Sequence, residues 1–126
     1  MSEIRGIGTD ICAVSRMEKA IRQQHFYERV FFENERAYLE KKENARAQSA
    51  AAMFAAKEAV SKALGTGFIR GIMPWTIEVT HDENGKPGVV LHDAAKERLE
   101  AMGGARIHLS LTHEGDTAMA FVVIEG

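Results

Sequence analysis

Seven of the seventeen residues from Gln48 to Leu64 are alanine. On a helix turning about 100° per residue, Ala52, Ala55, Ala56, Ala59 and Ala63 gather on one side. A face that small lets the helix lie very close to a sheet or to another helix, so the rest of the chain must supply a surface able to come that near. Phe54, Glu58, Ser61 and Lys62 gather on a neighbouring face. Glu58 and Lys62 are four residues apart and can touch; as an ordinary exposed pair they contribute about 0.2–0.5 kcal/mol.

The helix runs straight into Gly65-Thr66-Gly67. Gly65 ends it, and Gly67 leaves the backbone open to close approach. The N–H groups of this turn, the hydroxyls of Ser61 and Thr66, and the ammonium of Lys62 form a set of donors suited to a phosphate. The helix dipole does not help at this end, so Lys62 must supply the charge. The G-x-x-x-x-G-K-[ST] order of a Walker loop is absent. A carboxylate beside such a site suggests Mg²⁺, which takes hard oxygens and only one or two protein carboxylates. Glu58 is one candidate ligand. Asp10 is the other: in the predicted strand EIRGIGTDI (3–11), Ile4, Gly6, Gly8 and Asp10 share one face. The two glycines leave room for something to approach Asp10, or they admit a neighbouring helix. Spacing alone does not bring Asp10 and Glu58 together.

Around these segments the chain reads as α+β. Ser15 and Glu18 fit a capping box, predicting a helix from Ser15 to about Phe32, with a second charged helix over 33–47. Trp75 to Thr80 alternates like a half-buried strand, Asn84-Gly85 marks a hairpin, and 88–91 is its return strand. A short helix from Asp93 to Met102 closes on Gly103-Gly104. Strands at 106–112 and 117–125 follow, joined by the turn 113–116. The result is one domain over 1–126, a small antiparallel sheet packed by helices. The last strand is apolar on both faces, which calls for cover on both, either as a central strand or against another subunit. His108, Ser110 and Thr112 form a polar stripe opposite Ile107, Leu109 and Leu111. A Ser110–His113–Asp116 triad is discounted, because nothing around Ser110 resembles a nucleophile elbow.

Composition narrows the setting. A chain of 126 residues can bury a core without staples. The single cysteine, Cys12, rules out a disulfide framework or a cysteine-rich metal site. The net charge of −2 argues against nonspecific nucleic-acid binding, although residues 1–70 carry 12 Lys/Arg against 9 Asp/Glu, and residues 71–126 carry 4 against 9. The start MSEIRGIGTD has no long apolar run, and no segment is long enough to span a membrane. A cytoplasmic protein with no membrane or nucleic-acid partner is expected.

Three stretches occur in order at informative separations: GIGTDI near the N-terminus, FAAKEAVSKALGTG in the middle and IHLSLTH before the last strand. With IEVTHDENGKPGVVLH and AMAFVVIE they cover nearly the whole chain. Together they closely resemble the holo-acyl-carrier-protein synthases, the short trimeric class of 4′-phosphopantetheinyl transferases. The resemblance implies Mg²⁺-dependent transfer of 4′-phosphopantetheine from coenzyme A to a serine of apo acyl carrier protein, in fatty-acid biosynthesis. It implies Asp10 and Glu58 as metal ligands and Lys62 on the diphosphate, these three forming the catalytic set. Coenzyme A contacts are implied at Phe54, Ser61, Gly65, Thr66 and Gly67, and from an adjacent subunit at His108, Ser110 and Thr112. Carrier protein is expected to dock on the first helix through Arg16, Met17, Arg22 and Phe26, with Ile21 in the core. The family's frequent Gly-Arg before F-A-A-K-E is Ala52-Met53 here, so a phosphate contact at position 53 is missing and Arg46 is the candidate replacement. Two other classes remain open: a coenzyme A or nucleotide-binding regulatory module, and a carrier-docking scaffold without transfer.

Overall fold

The structure, a computed structural model, describes residues 2–126. The chain begins with strand β1 (Ile4–Ala13) and continues through three short helices, α1 (Val14–Ala20), α2 (Gln24–Val30) and α3 (Glu33–Glu40). The long helix α4 (Arg46–Ala63) comes next. A hairpin of β2 (Ile77–His81) and β3 (Pro87–Leu91) follows, then α5 (Asp93–Ala101), β4 (Arg106–Glu114) and β5 (Thr117–Glu125). The strands form two antiparallel sheets, β1-β5-β4 and β2-β3.

The alanine helix is the centre of the molecule. Ala50, Ala51, Ala55, Ala56 and Ala59 are fully buried, and α4 packs along both β1 and β5. The surface that meets its small face is the glycine face of β1. A Cβ at Gly6 or Gly8 would overlap the backbone carbonyls of Ala63 and Ala59. The two glycines therefore serve to admit the helix, and β5 contributes the equally small Ala118 and Ala120 to the same inner face.

The predicted helix from Ser15 to Phe32 is two helices. Ser15 does not cap it; α1 begins at Val14, with Ala13 at the cap position, and closes at Ile21. The reason is geometric. Met17 and Ile21 lie on one stripe, but Tyr27 is six residues past Ile21, about 240° away on a continuous helix. Breaking the chain at 21–23 lets Met17 and Ile21, then Tyr27 and Val30, all face the core. The predicted helix over 33–47 likewise shortens to α3, a 3-10 turn at Glu43–Ala45, and the first turn of α4. Trp75 sits in a 3-10 turn at Pro74–Thr76, just before the strand assigned to it.

One interaction in the core has no counterpart in the sequence reading. Lys57 and Glu35 are both buried and form an ion pair, with Lys57 Nζ 2.9 Å from each carboxylate oxygen. Lys57 also donates to the carbonyls of Pro74 and Ile77, while the N–H groups of Phe32 and Val79 donate to Glu35. Burial pushes the Glu35 carboxyl up and the Lys57 ammonium down, and each is opposed by the partner's charge. Three donors make four hydrogen bonds to the carboxylate, and these favour the ionised pair. It ties α4 to α3, the 3-10 turn and β2 at one point.

Lys57→Met should therefore cost about 3–5 kcal/mol of folding free energy, because it strands a buried carboxylate. Glu35→Gln should cost a similar amount, because it leaves the buried Lys57 ammonium without its counter-charge and turns an amide N–H toward donors that the carboxylate accepts from. Urea denaturation would measure both, and an unchanged midpoint for Lys57→Met would remove the pair from the list of anchors.

Candidate active site

The contact between β1 and α4 carries three charged side chains to one place. Asp10 follows Gly8 on the inner face of β1, and Glu58 and Lys62 lie one turn apart on the uncovered edge of α4. Lys62 Nζ is 2.8 Å from Asp10 Oδ1 and 3.1 Å from the carbonyl of Thr9. The partner of Lys62 is thus Asp10, fifty-two residues away, rather than Glu58 on its own helix. Glu58 stands beside Asp10. Burial, then the neighbouring Asp10 carboxyl, pushes the Glu58 carboxyl up to about 7. The hydrogen bond to Asp10 raises the Lys62 ammonium.

The donor set fits a divalent cation. Asp10 Oδ2 is buried and accepts no hydrogen bond, and a second carboxylate sits next to it at the expense of its own ionisation. An ion between them would satisfy the one and relieve the other. Among the described residues no cluster of three or more His, Cys, Asp or Glu can hold a metal. Two carboxylates with open neighbouring space suit magnesium, which keeps water and substrate oxygens in its shell.

The other expected contacts are distributed differently. Ser61 is buried, and its hydroxyl donates to the Glu58 carbonyl at 2.6 Å. The N–H groups of Thr66 and Gly67 both donate to the Ser61 carbonyl, and the Thr66 hydroxyl donates to Gly67. Gly65 and Gly67, at φ +80 and +69, supply the left-handed turn that closes the helix this way. The expected phosphate cradle of hydroxyls and N–H groups is therefore turned inward, a correction to the sequence reading. Lys62 is the member of that set that faces solvent, 53% exposed.

Met53 is buried among core residues, so position 53 does not present its side chain to a ligand. Arg46 pairs with Glu40 at 3.1 Å and lies over the Tyr27 ring. The hydroxyl of Tyr27 donates to the same Glu40; burial and that bond push it up to about 12.

His108, Ser110 and Thr112 lie opposite Val123, Phe121 and Met119 of β5, and these in turn lie opposite Ile7, Thr9 and Ile11 of β1. Strand alternation places all nine on the outer face of the sheet, away from α4, while Asp10 is on the inner face. One chain does not bring the His108 stripe to Asp10. His108 bonds Glu125 at 2.9 Å, and Asp116 bonds Ser15 rather than His113, so the triad has no geometry either.

Beside Glu58 opens a cavity of about 400 Å³ lined by Ile11, Cys12, Arg16, Met17, Phe26 and Phe54. Arg16 and Phe26 come from different helices, α1 and α2. One expectation for docking needs correction. Met17 is 4% exposed and belongs to the core, drawn in by its position on the stripe with Ile21. Arg22 lies beyond the end of α1, paired with Glu18 at 3.0 Å. Phe26 is half-buried against Phe31 and Phe54. Burial pushes the Cys12 thiol up.

Residues 6–121 match the model of the 4′-phosphopantetheinyl transferase superfamily. The chain is 48% identical to a holo-[acyl-carrier-protein] synthase of Treponema denticola, over 98% of this chain and 99% of the relative. Among solved structures, the synthase of Neisseria meningitidis superposes with a TM-score of 0.87 at 36% identity, covering 98% of this chain and 100% of that one. A holo-(acyl-carrier-protein) synthase of Bacillus anthracis, solved in complex with CoA (3′,5′-ADP), gives a TM-score of 0.81 at 37% identity, covering 98% of this chain and 97% of that one.

The two facing carboxylates predict a trade between stability and metal affinity. Because the folded state holds the Glu58 proton more tightly than an unfolded chain does, its contribution is favourable at low pH. That contribution is lost as pH rises through about 7. In a chelator at pH 8, Glu58→Gln should therefore melt above the wild type. Calorimetric titration with Mn²⁺ should show the same variant binding metal roughly tenfold or more weakly, since even the loss of an outer-shell partner costs about 10–100-fold. A variant that melts lower and binds Mn²⁺ normally would overturn the assignment of this carboxylate.

Proposed function

The chain belongs to the 4′-phosphopantetheinyl transferase superfamily, and on that premise we propose that it moves 4′-phosphopantetheine from coenzyme A to a serine of apo acyl carrier protein, releasing adenosine 3′,5′-bisphosphate. The observation that carries this reading is the meeting of Asp10, Glu58 and Lys62 at the β1–α4 contact. The coenzyme A bound to the relative from Bacillus anthracis supports the choice of donor.

Asp10 and Glu58 would hold Mg²⁺, and the ion when bound supplies charge neutralisation on the diphosphate and a template for in-line attack. Lys62 donates to the diphosphate oxygens and takes up charge that develops on the departing phosphate. The carrier serine oxygen forms a bond to the phosphorus that bears pantetheine. The bond from that phosphorus to the bridging oxygen breaks, and its electron pair leaves with the adenosine bisphosphate. The serine proton passes to Glu58 or to water. The nucleophile comes from the carrier, so this chain needs no activated serine or cysteine of its own.

The site is completed by a second copy, in a homotrimer. His108, Ser110 and Thr112 share the outer sheet face with Ile7, Ile11, Met119 and Phe121, large apolar side chains left exposed by the single chain. Packing this face on a neighbour would cover them and carry the polar stripe to the neighbour's Asp10 centre, where it would contact coenzyme A along with Phe54. Sedimentation equilibrium should give a trimer; a fully active monomer would sink this arrangement and the role of His108 together.

Incubating apo carrier protein with coenzyme A, Mg²⁺ and the enzyme should add the mass of phosphopantetheine to the carrier, and Asp10→Asn and Glu58→Gln should abolish most of that transfer. A binding module or a docking scaffold would leave the carrier mass unchanged. The role of α1 is tested separately. Arg16 lines the cavity beside Glu58 and offers positive charge to an acidic carrier. Arg16→Glu should raise the KM for carrier protein by roughly tenfold, equivalent to about 1.4 kcal/mol, with the KM for coenzyme A unmoved and the gap shrinking in high salt.

A further inference from the structure

Asp116, in the turn between β4 and β5, holds the start of α1 from 101 residues away. Its Oδ1 accepts the Ser15 N–H at 2.8 Å, and its Oδ2 accepts the Ser15 hydroxyl at 2.6 Å. Its backbone carbonyl accepts the Val14 N–H at 2.7 Å. Val14 and Ser15 are the first two residues of α1. The residue at the cap position, Ala13, has no side-chain oxygen, and the first turn contains no acid. Asp116 therefore does from outside what a helix usually does for itself, satisfying free N–H groups and placing negative charge at the positive end of the dipole.

The contact has a functional address. The residue after Ser15 is Arg16, on the wall of the cavity that Glu58 also lines. A helix of seven residues is too short to be stable alone, and Met17 is the one residue of α1 that is fully in the core. The orientation of α1 thus depends on how its first turn is fastened. The same hairpin end also reaches α4, where His113 Nδ1 lies 3.1 Å from Gln48 Nε2. One hairpin end thus touches two of the three helices that line the cavity, α1 and α4.

We propose that Asp116 is a positioning residue for carrier recognition: by capping α1 in trans it fixes Arg16 against the Asp10–Glu58 centre. The proposal rests on carrier docking at α1 as read above. Without the cap the first turn of α1 frays, and carrier protein binds productively only to the fraction of molecules in which it is formed.

Steady-state kinetics with apo carrier protein and coenzyme A test this. Asp116→Ala should raise the KM for carrier about fivefold, the population effect of losing one cap. The KM for coenzyme A, and kcat at saturating carrier, should hold. Asp116→Asn, whose amide oxygen still accepts the Ser15 N–H, should recover most of the loss. Ser15→Ala, which removes only the hydroxyl bond, should show a smaller rise in the same parameter. If Asp116 acts through Arg16, the double variant with Arg16→Glu should be no worse than Arg16→Glu alone. A rise in both KM values, a fall in kcat, or additive effects in the double variant would overturn the positioning role. Should Asp116→Ala fold poorly, the Asn and Ser15 variants carry the same comparison. Failure of the docking reading looks different: Arg16→Glu would then leave the carrier KM unmoved, whatever Asp116 does.

Discussion

The backbone of β1 lies directly against the backbone of α4, and the site exists because of that contact. Most strand–helix pairs are held apart by side chains on both elements. Here Gly6 and Gly8 offer none and Ala59 and Ala63 offer a single methyl each, so the carbonyls of the helix occupy the space a Cβ would take. Asp10 is the first residue of that strand face to carry a functional group. It meets α4 at the height of Glu58 and Lys62 because the contact sets the register of strand on helix. The carboxylates are brought together by packing, and burial, then the neighbouring Asp10 carboxyl, raises the Glu58 carboxyl there.

Much of this could be read in the sequence, because periodicity reports faces. The small face of α4, the glycine face of β1, the hairpin at Asn84-Gly85 and the alternation of β5 all follow from counting residues. What periodicity does not report is which donors are already satisfied. Ser61, Thr66 and Gly67 have the right chemistry for a phosphate, yet the helix closes itself with them. Met17 has the right type for a docking face, but core packing removes it from one. Ser15 and Glu18 match a capping pattern that a more distant carboxylate replaces. For Ser15 the local rule lost to a contact made 101 residues along the chain; for the 65–67 turn it lost to the helix closing on itself.

Lys57 shows the reverse: a signal that was present and not used. On the helical wheel of α4 it falls with Met53, Val60 and Leu64, well away from Glu58 and Lys62. A lysine on an apolar stripe must find a buried acid, and the chain provides Glu35. Three segments that share no sheet are pinned at this point, including the 3-10 turn before β2. The charges within FAAKEAVSKALGTG thus divide into one that holds the fold and two that form the site.

A joint made of main chain has few rotamers at its surface. Elsewhere in the core a substitution is absorbed by neighbouring side chains changing their torsions or volumes, and cores tolerate such exchange widely. Between Gly6, Gly8, Ala59 and Ala63 there is almost nothing to adjust, so the spacing of the two chain segments is nearly independent of which apolar residues fill the remainder of the interior. Drift in the core and constancy at the joint are therefore compatible in one small protein: lineages can exchange most of the hydrophobic residues and leave the separation of strand and helix, and with it the place where the charges meet, where it was.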